Sequence, residues 1–522
     1  MSRLLQALLL AFVAHAASHA GSQQEAQVGA WLSQNKGNPI ALRQFAQSLP
    51  KGADLHSHLS GATYAEDYLR WGAEEGYCVD IKENKFLRPP CMPYANVKLL
   101  SNITEREHDT LVKRMSTKDY IYSLTSGHDQ FFQAFDVFSV FSGSVKLIPK
   151  MLAKAKNRAG EQRVLHVELM ITLQYPAAKQ LAEKLAQTGI VDFAGRAAWL
   201  KNNGIDALVQ NATNDLAIIE QEYKKIQQCD SAARAVGCDV DHRWLQQVIR
   251  GGSPTEVFTQ IMLAYELFKT NKSLVGLNLV GPEDGVRALR DYRLHMEMLR
   301  DFADQYPTGN IALHAGELTI GLVAPEHLKN HITEAITIAG AKRIGHGVSI
   351  GYEESALHTF ALMRERGVLV EICLTSNALI LGVDGTAHPL RTYIEQNVPV
   401  ALATDDEGVA RIDLSNEYQR AIAQHNLSYT QIKKMSRDSL TYSFLSGSSI
   451  WSDGSSIRMV DACESDQRAE QLTSASCKKL LAESPKATRQ WLLETRFTAF
   501  EKGPAFRTMH MWPNSKSIQQ PN

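Results

Sequence analysis

Two periods alternate along the chain. Short β-rich runs of apolar and β-branched residues recur at Ala53–His58, Arg163–Thr172, Trp244–Arg250, Leu274–Val280, Asn310–His314, Arg343–His346, Val368–Ile372 and Val398–Thr404, and amphipathic helical spans separate them. Strands joined through helices point to a parallel α/β fold, and a count of eight favours closure over an open sheet. The predicted fold is therefore α/β, a TIM-type (β/α)8 barrel with an insertion after strand 1 and a C-terminal helical extension. Ahead of the first run, Gln24–Gln47 reads as helix. The insertion is Trp71–Thr117, with its turn signal Arg88-Pro89-Pro90, and the extension, packed outside the barrel, is Gly447–Asn522. The expected division is a leader at 1–20, a linker and helix at 21–50, the barrel at 51–446 and the extension at 447–522.

The leader changes the expected compartment. Arg3, the apolar run Leu4–Val13 and small residues around Ala16 and Ala20 have the layout of a cleavable export signal. About ten apolar residues are too few to span a bilayer, and no other run approaches eighteen. The mature chain is expected to be soluble and secreted or periplasmic, with no membrane partner after signal removal. Six of the seven cysteines agree with export, pairing most simply as near neighbours, Cys78 with Cys91, Cys229 with Cys238 and Cys463 with Cys477, out of 15 possible connectivities. Cys373 lies in an apolar run and reads as a buried thiol. Sequons at Asn102, Asn211, Asn271 and Asn426 carry glycans only in a eukaryotic host. With 44% hydrophobic residues in 522, the chain can bury a large core, and Lys+Arg 55 against Asp+Glu 56 leaves a net charge of -1. Nucleic acid has no electrostatic footprint on such a chain.

Candidate chemistry gathers at the carboxyl ends of the predicted strands, where a barrel places its active site. His56 and His58 end the first run two residues apart and so share one side of the strand. His314, followed by Glu317, closes the fifth run; His346 between glycines closes the sixth; Asp405 and Asp406 close the eighth. Singly, a His-x-His pair is more often packed or solvated than ligating, and an Asp-Asp pair is usually a loop or helix cap. Jointly, three neutral imidazoles and a carboxylate with an open water position describe a catalytic mononuclear zinc, one per chain.

These motifs together resemble the adenosine deaminase family. The resemblance spans about Lys51 to Ser446 and rests on Leu-His-x-His-Leu-x-Gly-Ala at 55–62, His-Ala-Gly-Glu at 314–317, Gly-His-Gly at 345–347, Ser376-Asn377 with His388-Pro389-Leu390, and Thr404-Asp405-Asp406. It implies zinc ligands His56, His58, His314 and Asp405. It implies Glu317 as the donor of a proton to purine N1, His346 as the group that orients and stabilises the attacking oxygen, and Asp406 as its partner or that of N7. Gly281 would meet the N3 edge of the base, and Phe131 and Phe135 would form an apolar lid, although aromatics at helical spacing are as readily plain core.

Ser60 stands where nucleoside-specific members carry an aspartate that contacts the ribose. A hydroxyl lacks that charge assistance, which opens the choice of sugar or of another 6-aminopurine. The leader and insertion look like the secreted, growth-factor-like branch, while the short stretch before the first strand leaves no room for that branch's long dimerisation segment, so oligomeric state stays open. The expected function is zinc-dependent deamination of adenosine or 2'-deoxyadenosine, outside the cytoplasm, on a small-molecule purine nucleoside. Two alternatives stand beside it: a deaminase of adenine, AMP or a modified nucleoside, and, in another class, an extracellular binding protein on this fold.

Overall fold

The computed structural model describes residues 23–92, 94–121, 126–306, 309–452, 454, 456–466, 472 and 474–503. The export-signal segment 1–20 lies outside the described residues. By internal contacts the chain forms two compact units, one of Asp54–Glu161 and Val167–Leu414, the other of residues up to Ala53, Gln162–His166 and Ser415 onward.

Eight strands make one sheet in the order β1 (Ala53–His58), β5 (His166–Ile171), β6 (Asp241–Ile249), β7 (Leu274–Val280), β8 (Asn310–Ala315), β9 (Arg343–His346), β10 (Leu369–Ile372) and β11 (Val400–Leu402). The registered neighbours from β6 to β11 pair in parallel, as strands linked through helices must. The circle closes between its first and last strands. Ser57 bridges Asp405, with Asp405 N–H donating to His56 O at 2.8 Å and His58 N–H to Asp405 O at 3.1 Å. All eight expected runs are strands of this barrel. The second is narrower than its apolar run, and the third begins three residues earlier, at Asp241.

The insertion after β1 holds a three-stranded antiparallel sheet, β2 (Cys78–Asp80) flanked by β3 (Lys85–Leu87) and β4 (Val97–Leu99), and Cys78 is bonded to Cys91. Cys229–Cys238 and Cys463–Cys477 are the other disulfides, and Cys373 is a buried free thiol. In the other unit, the stretch expected as one helix from Gln24 to Gln47 is two: residues 23–35 and Pro39–Ser48. The break has a local cause, because Pro39 cannot continue a helix and Asn38 caps the next one, accepting from Ile40 N and Ala41 N. That unit packs Trp31, Phe45 and Phe500 together and buries Lys433 against Glu25 and Glu501. Among the described residues no helix is long and apolar enough to cross a membrane.

Candidate active site

Strand alternation turns His56 and His58 to the barrel interior, and the barrel brings His314 and Asp405 to them from β8 and the end of β11. His56 Nε2 and His58 Nε2 lie 3.0 and 3.2 Å from His314 Nε2, and 3.4 and 3.2 Å from Asp405 Oδ1. Tetrahedral ligands about 2.0 Å from a zinc ion sit roughly 3.3 Å apart, so these four donors have the spacing of a ligand shell. Among the described residues the close donor atoms form two groups that share Asp405, one of His56, His314, His346 and Asp405 and the other of His58, Asp405 and Asp406, so His346 and Asp406 adjoin the four expected ligands. The backbone is bent to reach it: His346 and Asp405 have φ of 68° and 59°, left-handed values that non-glycine residues rarely hold away from functional sites.

Each of these four side chains is tied down on the face away from the cluster. Asn278 Oδ1 accepts from both the backbone N–H and Nδ1 of His314, at 3.0 and 2.8 Å. Gln247 Oε1 lies 3.3 Å from His58 Nδ1, and Glu371 Oε2 2.6 Å from His56 Nδ1. Ser376 Oγ donates to Asp405 Oδ2 at 2.6 Å. With each Nδ1 committed as donor, each Nε2 presents a lone pair to a cation. Glu371 is held by Arg343, which also pairs with Glu168, all three side chains fully buried. Sequence reasoning left these supporting residues unassigned. Their signal was present for two of them: Asn278 and Glu371 are single polar positions inside otherwise apolar strands, whereas Gln247 lies in a strand with several other polar residues.

Electrostatics separates the carboxyl groups into two kinds. Burial pushes Asp405 upward, but the neighbouring rings of His56 and His58 outweigh it and hold Asp405 well below the usual carboxylate range. Glu317 and Asp406 are driven well above it, by burial first and then by the Asp405 charge. Burial lowers the His346 ring to about 3, so it is neutral. Close environments thus favour the ionised form of one carboxyl and the acid form of two, a separation that lets one site offer both a cation partner and an acid. Glu317 is positioned by Glu283, whose two oxygens accept from Gly316 N at 3.1 Å and Glu317 N at 2.8 Å. Asp406 lies against Gly61, where an added Cβ would fall 1.5 Å from its carboxylate oxygen.

These groups line a cavity of about 740 Å³. His58, Ser60, Phe131, Phe135, Gly281, His314, Glu317, Asp405 and Asp406 all border it, so the structure brings the expected base-contacting and catalytic positions to one chamber. His56 and His346 stand behind its wall with their rings fully buried. Phe131 and Phe135 lie four residues apart on the helix Gly127–Ser142, ring centroids 5.7 Å apart, and Phe131 is also part of the core. Arg88, Asp129 and Asp136 line the cavity as well.

Comparison with known proteins gives a consistent picture. A family model described as adenosine deaminase matches residues 109–450, well over half of the chain, beginning after the strand that carries His56 and His58. The adenosine deaminase of Clostridium perfringens (strain SM101 / Type A) is 30% identical over 189 residues, 35% of this chain and 52% of that protein. That of Escherichia coli O1:K1 / APEC is 39% identical over 138 residues, 26% of this chain and 38% of that protein. The chain thus spans about half or less of the length of these curated relatives. Among solved structures, the N6-methyl-AMP deaminase of Arabidopsis thaliana superposes with a TM-score of 0.51 at 18% identity, covering 77% of this chain and 94% of that one. An amidohydrolase of Burkholderia ambifaria with bound Zn gives a TM-score of 0.51 at 14% identity, covering 87% and 94%. At those identities the likeness concerns the fold.

Proposed function

This chain belongs to the adenosine deaminase family, and on that premise we propose that it is a zinc-dependent hydrolase converting adenosine or 2'-deoxyadenosine and water to the 6-oxo nucleoside and ammonia, outside the cytoplasm. The observation that carries the reading is the convergence of four donor atoms, 3.0 to 3.4 Å apart along their closest contacts, beside a carboxyl held in its acid form. Zinc held by His56, His58, His314 and Asp405 would supply Lewis-acid activation of water at neutral pH. Glu317, still protonated there, gives its proton to purine N1 as oxygen adds at C6, which relieves the negative charge that the ring would otherwise carry. Of the two protons of the water, one ends on the amino group, which leaves as ammonia, and the other restores Glu317, while C6 keeps the oxygen as its carbonyl. His346 faces that oxygen as a neutral hydrogen-bond donor, and Asp406 offers a second polar contact to the oxygen or N7. The carbonyl of Gly281 is already taken by Arg250 Nε at 2.9 Å, so the backbone group left for an acceptor such as N3 is its N–H. Three disulfides support an oxidising compartment.

A second substrate reading, AMP, is favoured by Arg88 on the cavity wall and by the missing carboxylate at Ser60; Asp129 and Asp136 on the same wall oppose it. Purified mature protein is assayed on adenosine, adenine and AMP side by side, with and without a chelator and with Glu317→Gln. Chelator-sensitive adenosine turnover, reduced at least about 1000-fold in Glu317→Gln at unchanged metal content, is expected. Turnover of AMP alone moves the substrate to the nucleotide, and no turnover of any aminopurine by zinc-loaded protein refutes the deaminase reading.

A further inference from the structure

The neutral ring of His346 can carry its proton on either nitrogen, and the two choices do opposite chemistry: Nε2–H donates to a ligand in the site, whereas a bare Nε2 accepts. The structure contains a chain of hydrogen bonds that decides between them. It starts at a group with no freedom, the backbone N–H of Leu390, which donates to His388 Nδ1 at 3.1 Å. His388 Nδ1 is therefore an acceptor and its proton sits on Nε2, which lies 3.0 Å from Asn377 Oδ1. That contact orients the Asn377 amide with its carbonyl toward His388 and its NH2 toward His346 Nδ1, at 2.9 Å. His346 Nδ1 must accept, so the proton of its ring is on Nε2. Nε2 itself is buried, has no hydrogen-bond partner among the described residues, and lies 3.6 Å from Glu317 Oε1 and 3.9 Å from Asp405 Oδ2.

Each link is buried and comes from one stretch of chain: Asn377 from the helix Leu374–Leu381, His388 from the turn after Asp384, and Leu390 from the start of the next helix. Reversing any one bond would set two donors or two acceptors against each other in a place water does not reach, at a cost of about 1–3 kcal/mol per mismatched group. We infer that Asn377 and His388 are positioning residues that lock His346 as an Nε2–H donor, so that it stabilises the attacking oxygen and cannot act as the base that takes a proton from water. The role assigned to His346 rests on the deaminase reading; the direction of the chain does not.

The test has an arm for each. In zinc-loaded protein labelled with 15N-histidine, with His346 assigned through His346→Gln, the Nε2 resonance is expected to be that of a protonated, pyrrole-type nitrogen and Nδ1 that of an unprotonated one. The opposite assignment overturns the inference whether or not the protein is a deaminase. Asn377→Asp replaces the NH2 donor by an acceptor, and should draw a proton onto Nδ1 and lower kcat at least about 100-fold, with zinc content and KM within about threefold of wild type. On a His346→Gln background the same substitution should cost less than about threefold, because Asn377 acts through that ring; an undiminished loss there would mean a merely structural role and overturn the assignment. His388→Gln, whose amide can repeat the accept-and-donate pattern, should retain activity within about tenfold, and His388→Leu should not. Equal losses in the two His388 variants at equal thermal stability would also overturn it.

Discussion

Ser60 is the single side chain on which the proposed substrate choice turns. It borders the cavity, and its carbonyl accepts from Tyr68 OH at 2.9 Å, so the backbone at this position is anchored and a different side chain would project into the same space. A carboxylate there would gain charge-assisted hydrogen bonds to sugar hydroxyls and would repel a phosphate. Ser60→Asp is therefore expected to lower KM for adenosine by about tenfold and to raise it for AMP, measured as kcat and KM on both; a parallel change for the two substrates would separate residue 60 from sugar recognition. At this scale the sequence already named the four histidines and three carboxyls that gather at the centre, though not Gln247, Asn278 and Glu371 that hold them. Spacing alone put His56 and His58 on one face, and a strand end explains why each acidic or imidazole side chain reaches the rim. What spacing could not supply is which nitrogen of each ring faces the centre, since that depends on Glu371, Gln247, Asn278 and Asn377, brought in from other strands and loops.

Among the elements, the helix Gly127–Ser142 forms the apolar wall of the cavity and is pinned at its first turn by His128, whose Nε2 lies 3.1 Å from Asp284 in the segment that follows β7. Its Nδ1 faces Asp129 at 3.0 Å. Hydrogen bonding to Asp284 raises the His128 ring to about 9, against the opposing effect of partial burial and with help from Asp129. A raised folded-state value means that the charged pair stabilises the fold fully below the ordinary value of 6.5 and is lost as pH climbs through about 9. The melting temperature of wild type should therefore exceed that of His128→Gln most at pH 6, and the difference should shrink towards pH 9.5; a difference that grows with pH would contradict the pairing. The aromatic spacing on this helix was visible beforehand, but its two readings, lid and core, are both realised: Phe131 is buried and also borders the cavity. The helix expected at Gln24–Gln47 fails for a purely local reason, the Asn38-Pro39 cap, which outranks the apolar periodicity that runs across it.

At the scale of the barrel, the fully buried set Glu168–Arg343–Glu371 links β5, β9 and β10 with ion pairs of 2.7 and 2.6 Å. Arg343→Met would remove the cation shared by two buried carboxylates, so unfolding experiments should show a loss of about 3–5 kcal/mol. Because Glu371 also orients His56, zinc affinity should fall about 10–100-fold; unchanged affinity would mean that His56 needs no such support. From the sequence alone, alternating periods determined the eight strands and which polar residues stand at their ends, because burial and side-chain direction along a strand are local properties of the chain. Local spacing also pointed to the cysteine pairs, each closing a short loop. Only the tertiary structure decided that the first and last strands meet at Ser57 and Asp405, bringing residues about 350 apart into one cluster of donor atoms. It also decided which carboxyls favour the acid form and which way each ring points, because these depend on desolvation and on partners that no pattern within one segment contains.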